Sequence, residues 1–231
     1  VTGKPYDTLN EVIGADIKNG DGSLADFGIK YDDVDLLPGG GIDYAGIEKK
    51  IAEYGDSIKV IFIQRSKGYM NRPTLAASEI GEIIKFVKAR CRAYVAVDNC
   101  YGEFTNKEEP IELGADITAG SLIKNAGGGF APTGAYICGR KDLVERCAHQ
   151  LTVPGLGDEM GSYAASYRPF FEGLFLAPHM TRQAVMAAEF CAAVFQKLGF
   201  AVTPEPGHLR TDLITTVALN SEENMCRFAE A

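Results

Sequence analysis

Lys124 stands in an apolar, glycine-rich stretch, ADITAGSLIKNAGGGFAPTGAYICGR (residues 115–140), with Leu122 and Ile123 before it and Asn125 and three glycines after it. A lysine in such surroundings loses part of its preference for the charged form, and its neutral amine is a nucleophile toward carbonyls. Ser121 lies three residues earlier, and Asp98 closes another apolar run, VAVD at 95–98. A carboxylate at the buried end of a strand must find a cation or a strong donor, or take up a proton. Taken singly, each has a plainer reading. An aspartate there forms turns or caps helices, and a lysine near a sheet edge is usually solvated. Together they are an amine that can attack an aldehyde, an acid that can keep a pyridine nitrogen protonated, and a hydroxyl that can donate to a phosphate. Those are the groups that pyridoxal 5′-phosphate requires. The glycines at 127–129 would let backbone approach a flat cofactor closely. No GxGxxG after a strand, P-loop, GxSxG or HExxH motif competes.

The elements that must position these groups alternate in type. IKVIFIQ (58–64) is a near-continuous apolar run, the pattern of a strand buried on both faces. Ile80, Ile83, Ile84 and Val87 then recur at i, i+3, i+4 and i+7, which predicts a helix. Strands follow at 93–98, 114–121 and 133–139, and helices at 141–150 and 181–198, the latter stopped by Gly199. FAVTP and DLITTVAL read as strands, and 221–231 as a helix. This order implies an α/β fold with a mostly parallel central sheet flanked by helices, followed by the start of a smaller α+β domain. The domain change falls near residue 175, giving a large domain over 1–175 and a connecting helix with the beginning of a small domain over 176–231. Ligands of such sheets collect at the C-terminal ends of strands. Those ends are Gln64–Tyr69, Asp98–Tyr101 and Ser121–Gly129.

Composition narrows the function classes. The chain has 231 residues, 46% of them hydrophobic, and a net charge of −8, which argues against a nucleic-acid surface. No apolar run approaches the ~18 residues that a membrane helix needs. Cysteines at 91, 100, 138, 147, 191 and 226 are scattered without ligand spacing, so they read as reduced cytoplasmic thiols and no metal site is expected. Asp32, Asp33 and Asp35 are the nearest approach to clustered oxygen ligands, and a solvated loop explains them better. The start, VTGKPYDTLNEVIG, carries no targeting signal, and the end, EENMCRFAEA, stops inside a helical pattern, so the chain reads as part of a longer polypeptide.

VAVDNCYGEF and GADITAGSLIKNAGGGFAPTGAYICGRKDL resemble the large-domain core of the Cys/Met-metabolism family of pyridoxal-phosphate enzymes, the cystathionine lyases and methionine γ-lyases. VTGKPYDTLNEVIG, IQRSKGYMNRPTL and EGLFLAPHMTRQAV are similar to its branch of aluminium-resistance proteins and carbon–sulfur lyases, so the resemblance covers essentially the whole chain. It implies the fold-type-I architecture of PLP-dependent transferases. It makes Lys124 the Schiff-base lysine, Asp98 the partner of the pyridine nitrogen and Ser121 a phosphate ligand. Tyr6 becomes the tyrosine that stacks on the ring and assists the leaving group, and Arg65 a residue near the ring hydroxyl.

Some positions depart from the wider family. Ile123 and Cys100 stand where many relatives have threonine, and His149, His179 and His208 match no catalytic position. The glycine-rich phosphate loop is expected upstream of Val1 and the carboxylate-binding arginine downstream of Ala231. The implied reaction is β- or γ-elimination on a sulfur-containing amino acid such as cystathionine, cysteine or methionine, in a homodimer or homotetramer. A PLP-fold aminotransferase, a γ-replacement enzyme and a non-catalytic metal-stress protein that keeps the fold remain the alternatives.

Overall fold

The computed structural model describes residues 1–15, 22–68, 70 and 72–231; Tyr69, at the end of the first predicted strand-end segment, lies outside the described residues. The elements run α1 (Asp7–Ile13), α2 (Tyr44–Tyr54), β1 (Val60–Gln64), α3 (Ala77–Lys88), β2 (Tyr94–Asp98), β3 (Ile117–Ser121), β4 (Ala135–Gly139), α4 (Lys141–Ala148), α5 (Arg168–Lys197), β5 (Val202–Thr203), β6 (Thr216–Val217) and α6 (Glu222–Glu230). The chain divides into two units. One comprises Val1–Cys100, Glu108–Gly120 and Ala135–Ala165; the other comprises Tyr101–Lys107, Ser121–Gly134 and Ser166–Ala231.

The first unit is built on a four-stranded sheet in the order β1-β2-β3-β4. β1 pairs with β2 in parallel, Gln64 opposite Asp98, and β2 with β3 in parallel, Asp98 opposite Ala119. β4 runs the other way: Arg140 N donates to Asp116 O at one end and Leu122 N to Gly134 O at the other, both at 2.9 Å. The sheet is therefore mixed, with three parallel strands and one antiparallel edge. Gly139 (φ 145°) lets β4 close on β3, since a Cβ there would lie 2.4 Å from Asp116 O.

Alternation along the strands decides which face is buried. Ile61 and Ile63 of β1 lie opposite Val95 and Val97 of β2, and all four are buried under Ile80, Ile83, Ile84 and Val87 of α3 and Ile47 and Ile51 of α2. α3 follows its i, i+3, i+4, i+7 spacing, and Glu79 caps its start by accepting from Ala76 N at 2.7 Å. The opposite face is only partly covered. Val60 is 53% exposed and Phe62, Ala96 and Asp98 are half-buried, so the apolar run 58–64 is not buried on both faces. An apolar run has no polar residue to mark its open side, which is why periodicity alone misreads it. Asp116 ties the sheet together. It accepts from Val95 N (2.8 Å) and Lys88 Nζ (3.0 Å) and lies 3.6 Å from Arg140.

The second unit is organised by α5, a 30-residue helix. It begins thirteen residues before the expected 181, because Pro178 lies within it and costs the helix a hydrogen bond without ending it. Val185, Ala188 and Phe195, half-buried, and Ala192, buried, form its inward stripe. Arg210 holds the following hairpin to this helix, donating to Glu189 (2.9 Å), Ala188 O (3.1 Å) and Thr215 Oγ1 (3.1 Å). The β5–β6 pair is antiparallel, Val202 opposite Val217.

Two of the glycines after Lys124, Gly127 and Gly128, serve this unit's packing. A Cβ at Gly127 would fall 1.6 Å from Leu122 O, and one at Gly128 (φ 57°) would fall 2.2 Å from Gly173 O of α5. Gly173 returns the contact, 2.1 Å from Gly127 O. Glycine faces glycine because two backbones meet there.

Candidate active site

Five residues carry the predicted chemistry. Tyr6, Arg65 and Asp98 belong to the first unit, Ser121 and Lys124 to the second. The first three gather at the C-terminal ends of β1 and β2. Tyr6 precedes α1, and its amide donates to Gln64 Oε1 at 3.3 Å; its ring is 39% exposed. Gln64 is itself held by a bond from its side chain to Ser66 O (3.1 Å) and by Thr2 Oγ1 accepting from its amide (3.0 Å). The turn beyond it is closed by Arg72, which donates to the carbonyls of Gln64 and Ser66.

Asp98 is half-buried at the end of β2. Its Oδ1 accepts from Cys100 N at 3.0 Å, the local turn of an aspartate leaving a strand. Its Oδ2 takes no donor among the described residues. Cys100 thus contributes its backbone amide to this carboxylate.

Arg65 is fully buried. Its guanidinium donates to Asn99 Oδ1 (2.7 Å) and lies 4.0 Å from Glu109, while Asn99 Nδ2 donates to the same Glu109 carboxylate at 2.8 Å. Its amide bonds Asp98 O at 3.0 Å. Asn99 and Glu109 were not singled out from sequence. The signal for Asn99 was its place directly after Asp98; Glu109 sits in an acidic run and carries none. This buried network locks the backbone on both sides of Asp98.

In the second unit, Ser121 ends β3 and its Oγ accepts from Ile123 N at 3.3 Å, giving its own proton to no acceptor among the described residues. Lys124 N donates to Ser121 O at 3.3 Å, so the two side chains leave one tight turn. Lys124 is half-buried, whereas Ile123 is 66% exposed. The lysine Nζ lies 4.2 Å from the centroid of the Tyr101 ring. Tyr101 (φ 68°) and Phe104 (φ 61°) both sit in the left-handed region, at a cost of about 1–3 kcal/mol each. The segment is held there by Asn125 Nδ2 donating to Glu103 O (3.0 Å) and by Thr105 Oγ1 bonding Gly102 O (2.6 Å) and Thr211 O (3.1 Å). Sequence reading placed Tyr101 at a strand end without a role and passed over Asn125, the buried residue directly after Lys124.

Other candidates stand apart. Asp32 Oδ2 is shared by Lys50 Nζ (2.5 Å) and Tyr54 Oη (2.7 Å), and these bonds hold its carboxyl below the usual range. All three histidines are exposed. Among the described residues no group of three or more His, Cys, Asp or Glu could hold a metal ion, and no helix is long and apolar enough to cross a membrane.

The profile of the methionine gamma-lyase family matches residues 1–231. The uncharacterized protein YnbB of Bacillus subtilis strain 168 is 47% identical over 232 residues, which take in 100% of this chain and 54% of YnbB. A Listeria monocytogenes structure named for involvement in aluminium resistance is 47% identical with a TM-score of 0.93, covering 99% of this chain and 56% of that one. The carbon–sulfur lyase involved in aluminium resistance of Clostridium novyi NT is 43% identical with a TM-score of 0.91, over 96% of this chain and 53% of that one. The chain thus spans about half the length of these relatives. With its full length matched by the profile, the chain belongs to the methionine gamma-lyase family.

Proposed function

We propose that the protein is a pyridoxal 5′-phosphate-dependent carbon–sulfur lyase of fold type I, acting by β- or γ-elimination on a sulfur-containing amino acid. The family and the name of the Clostridium novyi relative support the lyase class. The observation that carries the cofactor reading is the chemistry of three side chains. Among the described residues Asp98 Oδ2 takes no donor and Ser121 Oγ gives its proton to no acceptor, and Lys124 supplies a primary amine. These fit a protonated pyridine nitrogen, a phosphate and an aldehyde. When bound, the cofactor supplies an electron sink for the substrate's α-carbon.

The residues of this chain do the rest. Asp98 would hold a proton on the ring nitrogen through Oδ2, which takes no donor among the described residues. Arg65 acts on that site through Asn99, fixing the backbone at Asp98. Ser121 donates to the phosphate. Lys124 would hold the cofactor's aldehyde carbon, and its Nζ would take the α-proton of the substrate as general base. Tyr6 would lie against the ring and give a proton to the departing sulfur. One water hydrolyses what remains after the thiol leaves, so the products are a thiol, a 2-oxo acid and ammonia. The same reading carries a homodimer or homotetramer and a cytoplasmic location.

The test is product analysis. Purified protein supplied with cofactor and with cystathionine, cysteine or methionine releases thiol and 2-oxo acid under this reading. Transfer of the amino group to an added 2-oxo acid without thiol release overturns it in favour of transamination.

A further inference from the structure

We propose that Tyr101 is a positioning residue for Lys124, holding its amine over the aromatic ring as a cation–π pair; the functional consequence rests on Lys124 being the cofactor lysine. An ammonium within ~6 Å of a ring centroid, over its face, is attracted by the ring quadrupole. The 4.2 Å separation is well inside that range. A lysine has four rotatable bonds, so an amine meant to meet an aldehyde gains from a fixed resting place.

Two features show that the ring is placed rather than incidental. Tyr101 is held at φ 68°, a conformation that bulky residues avoid, and Phe104 three residues on is held at φ 61°. The bond that joins their segment to the lysine's turn comes from Asn125, the residue directly after Lys124, through Nδ2 to Glu103 O at 3.0 Å. Ring and amine are therefore fastened to each other by a buried side chain adjacent to the amine. Thr105 secures the same segment to Gly102 O and Thr211 O.

The test separates the contact from the cofactor. Lysines of the cofactor-free protein are reductively methylated with ¹³C, and the Lys124 signal is the one absent from Lys124→Arg. Stacked over the ring, it is displaced upfield of the exposed-lysine signals in the wild-type protein and in Tyr101→Phe. Tyr101→Asn removes the ring at a residue type that tolerates positive φ, so the backbone is relieved rather than strained. The upfield displacement is lost in that variant. In separate, unmethylated samples, cofactor addition slows about fivefold in Tyr101→Asn and stays within about twofold of wild type in Tyr101→Phe. A Lys124 signal among the exposed lysines in wild type, or a Tyr101→Asn variant that keeps the displacement or takes up cofactor at the wild-type rate, overturns the proposal. If no variant takes up cofactor in a protein that spans the length of its relatives, the cofactor reading fails, and the displaced signal alone decides the role of Tyr101.

Discussion

Gly173→Ala is the substitution whose sign this structure decides most sharply. Gly173 lies within α5, and in an ordinary helix interior alanine is better than glycine by about 0.5–1 kcal/mol. Here the added Cβ would fall 2.1 Å from Gly127 O and 3.5 Å from Ala131 N. Favourable carbon contacts lie near ~3.5 Å, so helix and loop must part by more than about 1 Å. Overpacking costs about 1–3 kcal/mol, and the upper end applies because a backbone carbonyl, not a flexible side chain, stands in the way. The helix preference offsets about 1 kcal/mol of that, leaving a loss of about 2 kcal/mol. For a chain of this size the melting temperature falls by about 4–8 °C. Gly81→Ala in α3 is the control. Its Cβ would meet only Leu113 side-chain atoms at 3.5 Å or more, so the helix preference prevails and the variant melts higher by about 2–4 °C. Thermal unfolding followed by circular dichroism reads both. A Gly173→Ala protein that melts at or above the wild-type temperature refutes the packing of the lysine's loop on α5.

Two further predictions use the charged anchors. The Glu189 carboxyl is held below its usual value of 4.5 first by the hydrogen bond from Arg210 and then by the Gly207 amide. A depressed folded value means stability that is present above the unfolded pKa and lost as pH falls through the folded one. Melting of the wild-type protein therefore drops more steeply below pH 4.5 than that of Glu189→Gln, as parallel melts across that range will show. Asp116→Ala leaves Val95 N without its acceptor and Lys88 and Arg140 without their shared carboxylate. It destabilises by about 2–3 kcal/mol in urea denaturation, whereas Arg140→Ala, which loses the 3.6 Å contact to Asp116, an exposed pair with Asp142 and a ring contact with Tyr94, costs under ~1 kcal/mol.

How much of this was legible in the sequence follows from what each residue type can signal. The α3 stripe was, because helical spacing reports a single buried face without ambiguity. The strand ends were, because Asp98, Ser121 and Lys124 interrupt apolar runs. The antiparallel edge was not, since the TGAYICG pattern has the same period in either direction and the connection alone does not fix it. The half-covered face of β1 was hidden by Val60 and Phe62, apolar residues that sit in partly open positions. Glycine marks a close approach without saying to what; the packing partner of Gly127 and Gly128, Gly173, lies over 40 residues away in sequence. Arg65 entered as a site residue through the resemblance of its segment, QRSKGY, to relatives. Its burial against Asn99 and Glu109 depends on contacts 34 and 44 positions along the chain, which no local pattern reports.

The central claim is that Lys124 is the residue that holds pyridoxal 5′-phosphate. Protein incubated with the cofactor, reduced with borohydride and digested settles it by mass spectrometry. The account predicts an absorbance band near ~420 nm that reduction abolishes, and a pyridoxyl group on the peptide carrying Lys124 and absent from Lys124→Ala. A label on another lysine, or no band and no label in a folded protein that spans the length of its relatives, contradicts it.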